Sequence, residues 1–245
     1  MSTKGAPAMS DEYDQYLSKH YSHVSTPASL ERKKAWVLSN HGSKLPPSTD
    51  AVILDVGPGF GNIIQLLHDK CGYKNVNAID ISPEVVSVCN TILPGSTKLV
   101  GDTVGFLNGH QGEFDLILLL HVLEHISKNE VLPFLGAVHN ALKSGGRVIV
   151  EVPNSAHPIT GINMRYADFT HHVGFTDRSL EFVMLNAGFS EVSLYGCKVP
   201  WESPLRSIQR AGQNVVEMLL GLIVRLYMPT KPSILTSILG ACATK

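Results

Sequence analysis

The stretch Asp55-Val56-Gly57-Pro58-Gly59-Phe60-Gly61 decides how this chain is read. It follows the apolar run Ala51-Val52-Ile53-Leu54 and precedes an amphipathic segment from Asn62 to Cys71, which places it between a strand and a helix. Glycines at such a junction let the backbone turn tightly and let a ligand lie against main chain. Dinucleotide-binding sheets carry a similar turn, but their G-x-G-x-x-G spacing would need a glycine where this chain has Asn62. Asp55 argues further against a pyrophosphate. Anion beside anion is unfavourable, whereas a carboxylate suits a ligand's ammonium group. The plainer alternative is that Asp55 caps the next helix.

Outward from that turn, short apolar runs alternate with longer amphipathic ones. Strands are expected at Val76 to Ile81, Lys98 to Gly101, Phe114 to Leu120 and Arg147 to Val152, with helices starting at Pro83, Leu123 and Val131. Lys143-Ser144-Gly145-Gly146 reads as a helix C-cap and a turn into a strand. Parallel strands need such crossovers, so the fold class is α/β, a Rossmann-like, doubly wound and mostly parallel sheet. Ahead of it, Asp11 to Asn40 has a helical rhythm ended by His41 to Pro47. Behind it come a helix from Ser179 to Ala187, a strand from Phe189 to Cys197, an apolar helix from Leu205 to Met228 and a β-like run from Ile234 to Ala243. The expected organisation is a helical cover over 1–49, a core over 50–200 containing a substrate loop at 153–178, and a helical insertion with the final strand over 201–245.

A chain of 245 residues suits one such core. Its 20 basic and 21 acidic residues give no positive field to draw it onto nucleic acid, so that partner is not expected. The four cysteines lack CxxC spacing, which points away from a disulfide framework or structural zinc. Residues Met1 to Ser10 hold one lysine and no apolar core of signal-peptide length, and no apolar run is long enough to span a bilayer. A cytoplasmic location is expected.

Asp80 closes Ala78-Ile79-Asp80-Ile81-Ser82, where a carboxylate can accept both hydroxyls of a ribose. Gly101-Asp102-Thr103 follows the third strand. Asp102 either accepts an adenine amino group or is a turn aspartate bonded to its own backbone. With Phe114-Asp115-Leu116-Ile117 and His121-Val122-Leu123-Glu124-His125-Ile126, these segments run in order and at suitable spacing from Asp50 to about Val152. The chain thereby resembles the class I S-adenosylmethionine-dependent methyltransferases. The resemblance implies S-adenosylmethionine as cofactor, held by Asp55, Gly57, Pro58, Gly59, Gly61, Asp80, Ile81, Asp102, Thr103 and His121. It departs from the family at Pro58, where a small residue or cysteine is usual.

A hydroxyl acceptor would call for a base. His121 and His125 follow the fourth strand, where members of the family commonly use His-Val-Leu-Glu-His to line the cofactor pocket. His171 and His172 lie in Arg165-Tyr166-Ala167-Asp168-Phe169-Thr170-His171-His172-Val173-Gly174-Phe175-Thr176, which looks like a segment of bacterial methyltransferases of polysaccharide and glycan biosynthesis. The catalytic candidates are His171, an Asp168 that could orient its imidazole, and His125. The alternative is that Asp168 and His171 only tie the loop together. The histidine spacings match no dedicated metal site, and no metal is expected.

The expected acceptor is a sugar hydroxyl in a glycan or glycan precursor. Two other readings stand beside it: a small aromatic or lipid-like acceptor, and a non-catalytic scaffold that binds S-adenosylmethionine. The helix over 205–228 is apolar on more than one stripe, with Arg206, Arg210 and Arg225 at or near its ends. It is expected to project from the core and to meet either the inner face of a membrane or a second copy of the chain; the plainer alternative is a helix packed on its own sheet.

Overall fold

The computed structural model describes residues 17–18, 26–227 and 234–245. Seven strands are present: β1 (Val52–Val56), β2 (Asn75–Asp80), β3 (Thr97–Leu99), β4 (Phe114–Leu120), β5 (Leu142–Pro153), β6 (Ser190–Cys197) and β7 (Ile238–Thr244). They form one sheet in the order β3-β2-β1-β4-β5-β7-β6, parallel except for β7, which runs antiparallel to both neighbours. This is the Rossmann-like α/β sheet expected from the sequence.

Eight α-helices accompany it among the described residues: α1 (Pro27–His41), α2 (Asn62–Gln65, continued by a π turn over Leu66–Lys70), α3 (Pro83–Ile92), α4 (Thr103–Gly109), α5 (Val131–Ala141), α6 (Gly161–Tyr166), α7 (Asp177–Asn186) and α8 (Pro204–Tyr227). Because successive strand side chains point to opposite faces, each strand feeds two cores. Leu54, Ile117, Leu119, Val148 and Val150 pack with α4, α5 and α7 on one face. Ile53, Leu116, Leu118 and Ile149 pack with α1, α2 and α3 on the other.

Several local expectations are corrected. The helix expected from Leu123 is a single 3₁₀ turn over Leu123–His125, because His121 has φ of 61° and redirects the chain, and Ile126 is extended. The glycine pair expected as a cap and turn lies inside β5. There, Phe114 pairs with Leu142 and Leu116 with Arg147, so residues 143–146 bulge outward. The last strand of the sheet starts later than expected, at Ile238, and lies between β5 and β6. Of the N-terminal helix expected over 11–40, the structure describes α1 from Pro27, started by the Thr26 cap and Pro27; residues 11–16 and 19–25 lie outside the described residues.

The same alternation that buries Ile149 turns Glu151 toward α1, where its carboxylate is fully buried. Oε1 accepts from Lys33 Nζ at 2.9 Å and His121 Nε2 at 2.9 Å. Oε2 accepts from Trp36 Nε1 at 2.7 Å and His41 Nε2 at 2.7 Å. Four donors use all the lone pairs of a carboxylate. His41 continues to the Tyr195 hydroxyl on β6 at 2.8 Å. Burial alone would raise the Glu151 pKa, but the Lys33 ammonium and the two imidazoles hold it well below the ordinary carboxylate range. Glu151→Gln should therefore lower unfolding stability by roughly 3 kcal/mol, since a charge-assisted cluster loses its centre while its cationic partners stay. Urea denaturation checks this; an unchanged midpoint would refute the structural role.

Candidate functional site

The order of the strands reverses between β1 and β4, and in an open α/β sheet the crevice beyond the carboxyl ends at that point receives ligands. A cavity of about 550 Å³ lies there. Its walls come from the β1 turn (Asp55 to Gly59, with Asn62), from Lys33 and Trp36 of α1, from His121 and His125 after β4, and from Val199 and Pro200 after β6.

The turn after β1 is held open by left-handed glycines. Gly57 has φ of 71°, and a Cβ there would stand 2.9 Å from Val122 Cγ2. Gly61, with φ of 70°, is the N-cap of α2 and backs onto Cys89 and Ile92 of α3. Asp55 does not cap that helix. It is buried, and its Oδ2 meets no hydrogen-bond donor among the described residues. Burial raises its pKa to about 7, with Lys33 pulling it down and Asp80 pushing it further up. Across the same cavity the amide Nδ2 of buried Asn62 has no acceptor among the described residues. An unmatched acceptor and an unmatched donor in one cavity are what a zwitterionic amino-acid group would pair.

At the neighbouring strand end, Asp80 is half-buried and accepts the Ser82 amide at 2.7 Å. Burial lifts its pKa to about 6 against the hydrogen bonds from the Ser82 and Ile81 amides. Asp80 and Ile81 sit beside the β1 turn, because Gly57 N donates to Ile79 O at 3.0 Å. Asp102 is the N-cap of α4, and its Oδ1 accepts from Gly105 N at 2.9 Å. Thr103 is the first residue of that helix.

His121 lies between two carboxylates, with Nδ1 on Glu124 Oε1 at 3.0 Å and Nε2 on Glu151 Oε1 at 2.9 Å. Burial and Lys33 oppose its charging, but the two carboxylates outweigh them and raise its pKa to about 9. It is therefore a cation in the cavity wall.

The expected pairing of Asp168 with His171 is corrected. Asp168 Oδ1 instead accepts from Thr170 N at 2.9 Å and Thr170 Oγ1 at 2.6 Å. Thr170 Oγ1 lies 2.9 Å from His125 Nδ1, so the relay from Asp168 ends on His125. The Thr170 proton goes to the carboxylate, so His125 must donate from Nδ1 and keeps its lone pair on Nε2. His171 Nδ1 lies 3.0 Å from the Met164 carbonyl, which can only accept, so its lone pair is also on Nε2. The two rings meet edge to face with centroids 4.7 Å apart. Burial lowers the pKa of His125. Arg165 donates to the carbonyls of His171 and His172 and fixes the loop over β5.

Lys33, Trp36, Asn62, Thr170 and Glu151 were not picked out from the sequence. The signal for Glu151 was present, a lone carboxylate in the buried run Val148-Ile149-Val150-Glu151-Val152. The others become site residues only through the fold.

A sheet of this order, with an acidic strand end and glycine turn at its switch point, defines the S-adenosylmethionine-dependent methyltransferase class. The chain belongs to the methyltransferase-domain family, whose model matches residues 30–194. Among solved structures, an S-adenosylmethionine-dependent methyltransferase of Archaeoglobus fulgidus is similar with a TM-score of 0.64 at 18% identity, over 89% of this chain and 95% of that one. A possible histamine N-methyltransferase of Thermotoga maritima gives 0.60 at 14%, over 88% and 90%. Phosphoethanolamine N-methyltransferase 2 of Haemonchus contortus, in complex with S-adenosylmethionine, gives 0.62 at 16%, over 99% of this chain and 61% of that one. No curated protein sequence matches the chain significantly.

The site fits S-adenosylmethionine, the family's methyl donor. Asp55 Oδ2 could take its ammonium, Asn62 Nδ2 and the Lys33 ammonium its carboxylate, and Asp80 its ribose hydroxyls. Because Asp55 binds that ammonium only when ionised, and its pKa is about 7, donor affinity should fall by up to about tenfold per pH unit below pH 7. It should also decline above about pH 8 as the donor's own amine deprotonates. Asp55→Asn should weaken binding by about 1–3 kcal/mol and flatten the acid side. Calorimetry across pH tests this; a flat wild-type profile would reject it.

Proposed function

We propose that this methyltransferase acts on the hydroxyl of a sugar in a glycan or glycan precursor. The observation that carries the reading is the pair of imidazoles with Nε2 lone pairs kept available: His125, which lines the donor cavity, and His171, whose ring packs against that of His125 with centroids 4.7 Å apart. A nitrogen acceptor brings its own lone pair, whereas a hydroxyl must lose a proton as it attacks, and a neutral imidazole takes it. The donor supplies a methyl group on a sulfonium. The C–O bond forms as the C–S bond breaks, the electron pair stays on sulfur, and the hydroxyl proton goes to imidazole. Asp168, through Thr170, holds His125 in the accepting tautomer.

The exposed side chains of Tyr166, at the end of α6, and Phe169, in the loop after it, supply flat apolar surface for a sugar ring. His171→Ala should lower turnover about 10²-fold while leaving donor affinity nearly intact. The assay is labelled methyl transfer to a panel of nucleotide sugars and oligosaccharides, with hydrophobic and aromatic alcohols alongside. Transfer confined to the hydrophobic acceptors would replace the sugar reading, and tight donor binding without any turnover would favour a scaffold.

We also propose that α8 rests on an anionic lipid surface. Among the described helices none is long and apolar enough to cross a membrane. Even so, α8 leaves Leu219, Leu222 and Leu226 exposed at helical spacing, and buries only Gly221. It carries three arginines against one acid, Glu217, which is paired with Lys198 at 2.7 Å. An apolar face flanked by cations suits an anionic headgroup layer. Vesicles containing phosphatidylglycerol should float the wild-type chain, and replacing Leu219, Leu222 and Leu226 by serine should release it with the melting temperature kept. Failure to float, with sedimentation as a dimer, would assign the face to a second copy instead.

A further inference from the structure

Among the described residues, two clusters of side chains each bring three metal-ligating atoms within 4.8 Å of one another: His41, Glu151 and Cys197, and Glu124, His125 and His171. The first is closed, because the Glu151 oxygens already accept from four donors. The second is open. Glu124 is 2% exposed, and only its Oε1 is used, by His121. Its Oε2 is buried and meets no donor among the described residues. A buried carboxylate oxygen left without a donor is costly unless a cation meets it.

The two imidazoles are prepared in the same sense. Each donates its Nδ1 proton away from the cluster, His125 to Thr170 and His171 to the Met164 carbonyl, leaving Nε2 as the ligating atom. Ligands oriented by outward hydrogen bonds of this kind are the usual second layer of a metal site, and Asp168 behind Thr170 completes the carboxylate–hydroxyl–imidazole chain. The Glu124 carbonyl is itself fixed, accepting the His172 amide at 2.8 Å and the Val173 amide at 3.1 Å, so the loop that carries His171 is tied to the turn that carries Glu124.

We propose that Glu124 Oε2, His125 Nε2 and His171 Nε2 bind a divalent transition-metal cation. Two imidazoles and one carboxylate leave further positions open on such an ion. His125 lines the donor cavity, so those positions adjoin the place an acceptor must occupy. The catalytic part of the inference keeps the hydroxyl acceptor of the reading above but changes the base: with the ion bound, both Nε2 atoms are ligands and take no proton, the acceptor oxygen would meet the ion, its pKa would fall and its proton would leave to water. The binding part does not depend on that reading.

The test uses the metal-stripped full chain with Mn²⁺ followed by electron paramagnetic resonance and Co²⁺ followed by its visible absorption, without any acceptor. One ion per chain should bind, with a ligand-field band for Co²⁺. Glu124→Gln and His171→Asn should each weaken binding about tenfold or more, and Thr170→Val, which removes an orienting hydroxyl, by about 10 to 100-fold. Thermal melting identifies variants that fail to fold; if Glu124→Gln is among them, His171→Asn, in a half-exposed loop, decides. A wild-type chain that leaves both ions free, or folded variants that bind them as the wild type does, would overturn the proposal. Ion binding together with inactivity on every hydroxyl acceptor would retain the site and reject the sugar-hydroxyl reading. Transfer to a sugar undiminished by a chelator would keep the sugar-hydroxyl reading and reject the catalytic part of the inference.

Discussion

The structure depends on one buried carboxylate. Glu151 sits near the carboxyl end of β5, where a parallel sheet would otherwise offer only apolar side chains to the helix above it. Its four donors come from α1 and from the end of β4, and through His41 the link reaches β6. A buried ion cluster of this sort is weak as a source of net stability, because desolvation consumes much of the Coulombic gain. It is strong as a selector of geometry, because an arrangement that misplaces any one partner leaves a charge unpaired. The cluster thus fixes where α1 lies, and α1 is one wall of the donor cavity.

The same cluster sets the electrostatics of the site. Lys33 faces Glu151 and is close enough to Asp55 to pull its pKa down against burial. His121 is held cationic by Glu151 and Glu124, and its bond to Glu124 Oε1 leaves Oε2 without a donor among the described residues. Charge is therefore passed along a line from the helical cover through β5 and the β4 turn to the histidine pair. Positions on that line are coupled, and substitutions on it should not be additive.

Much of the fold was legible because it is written in local pattern. Apolar runs of strand length separated by amphipathic segments give βα alternation, and the glycines after Asp55 mark the ligand turn. The errors fall where tertiary geometry overrides local pattern. Leu123-Glu124-His125 has helical composition, but the left-handed His121 denies it a first turn. Gly145-Gly146 has the composition of a cap, yet serves a bulge in β5. Within the site, residues near the turn in sequence were found, and those supplied from a distance were not. Lys33 and Trp36 reach the cavity only because Glu151 recruits them, and Thr170 gains a role only because Asp168 turns to it instead of to His171. Spacing along a chain identifies neighbours on one element; it does not say which elements will meet.

The placement of β7 bears on the order in which the molecule can be assembled. β6 is made before β7, yet it pairs with β7 and not with β5. A nascent chain that has reached Cys197 therefore carries an edge on β5 and a strand with no partner. Both wait until α8 has been synthesised and the following residues have threaded between them. Loop closure over that distance is a late, non-local event, and the half-finished sheet presents two open ladders while it waits. The strand that joins β6 to the rest of the sheet thus follows both of its partners in the sequence.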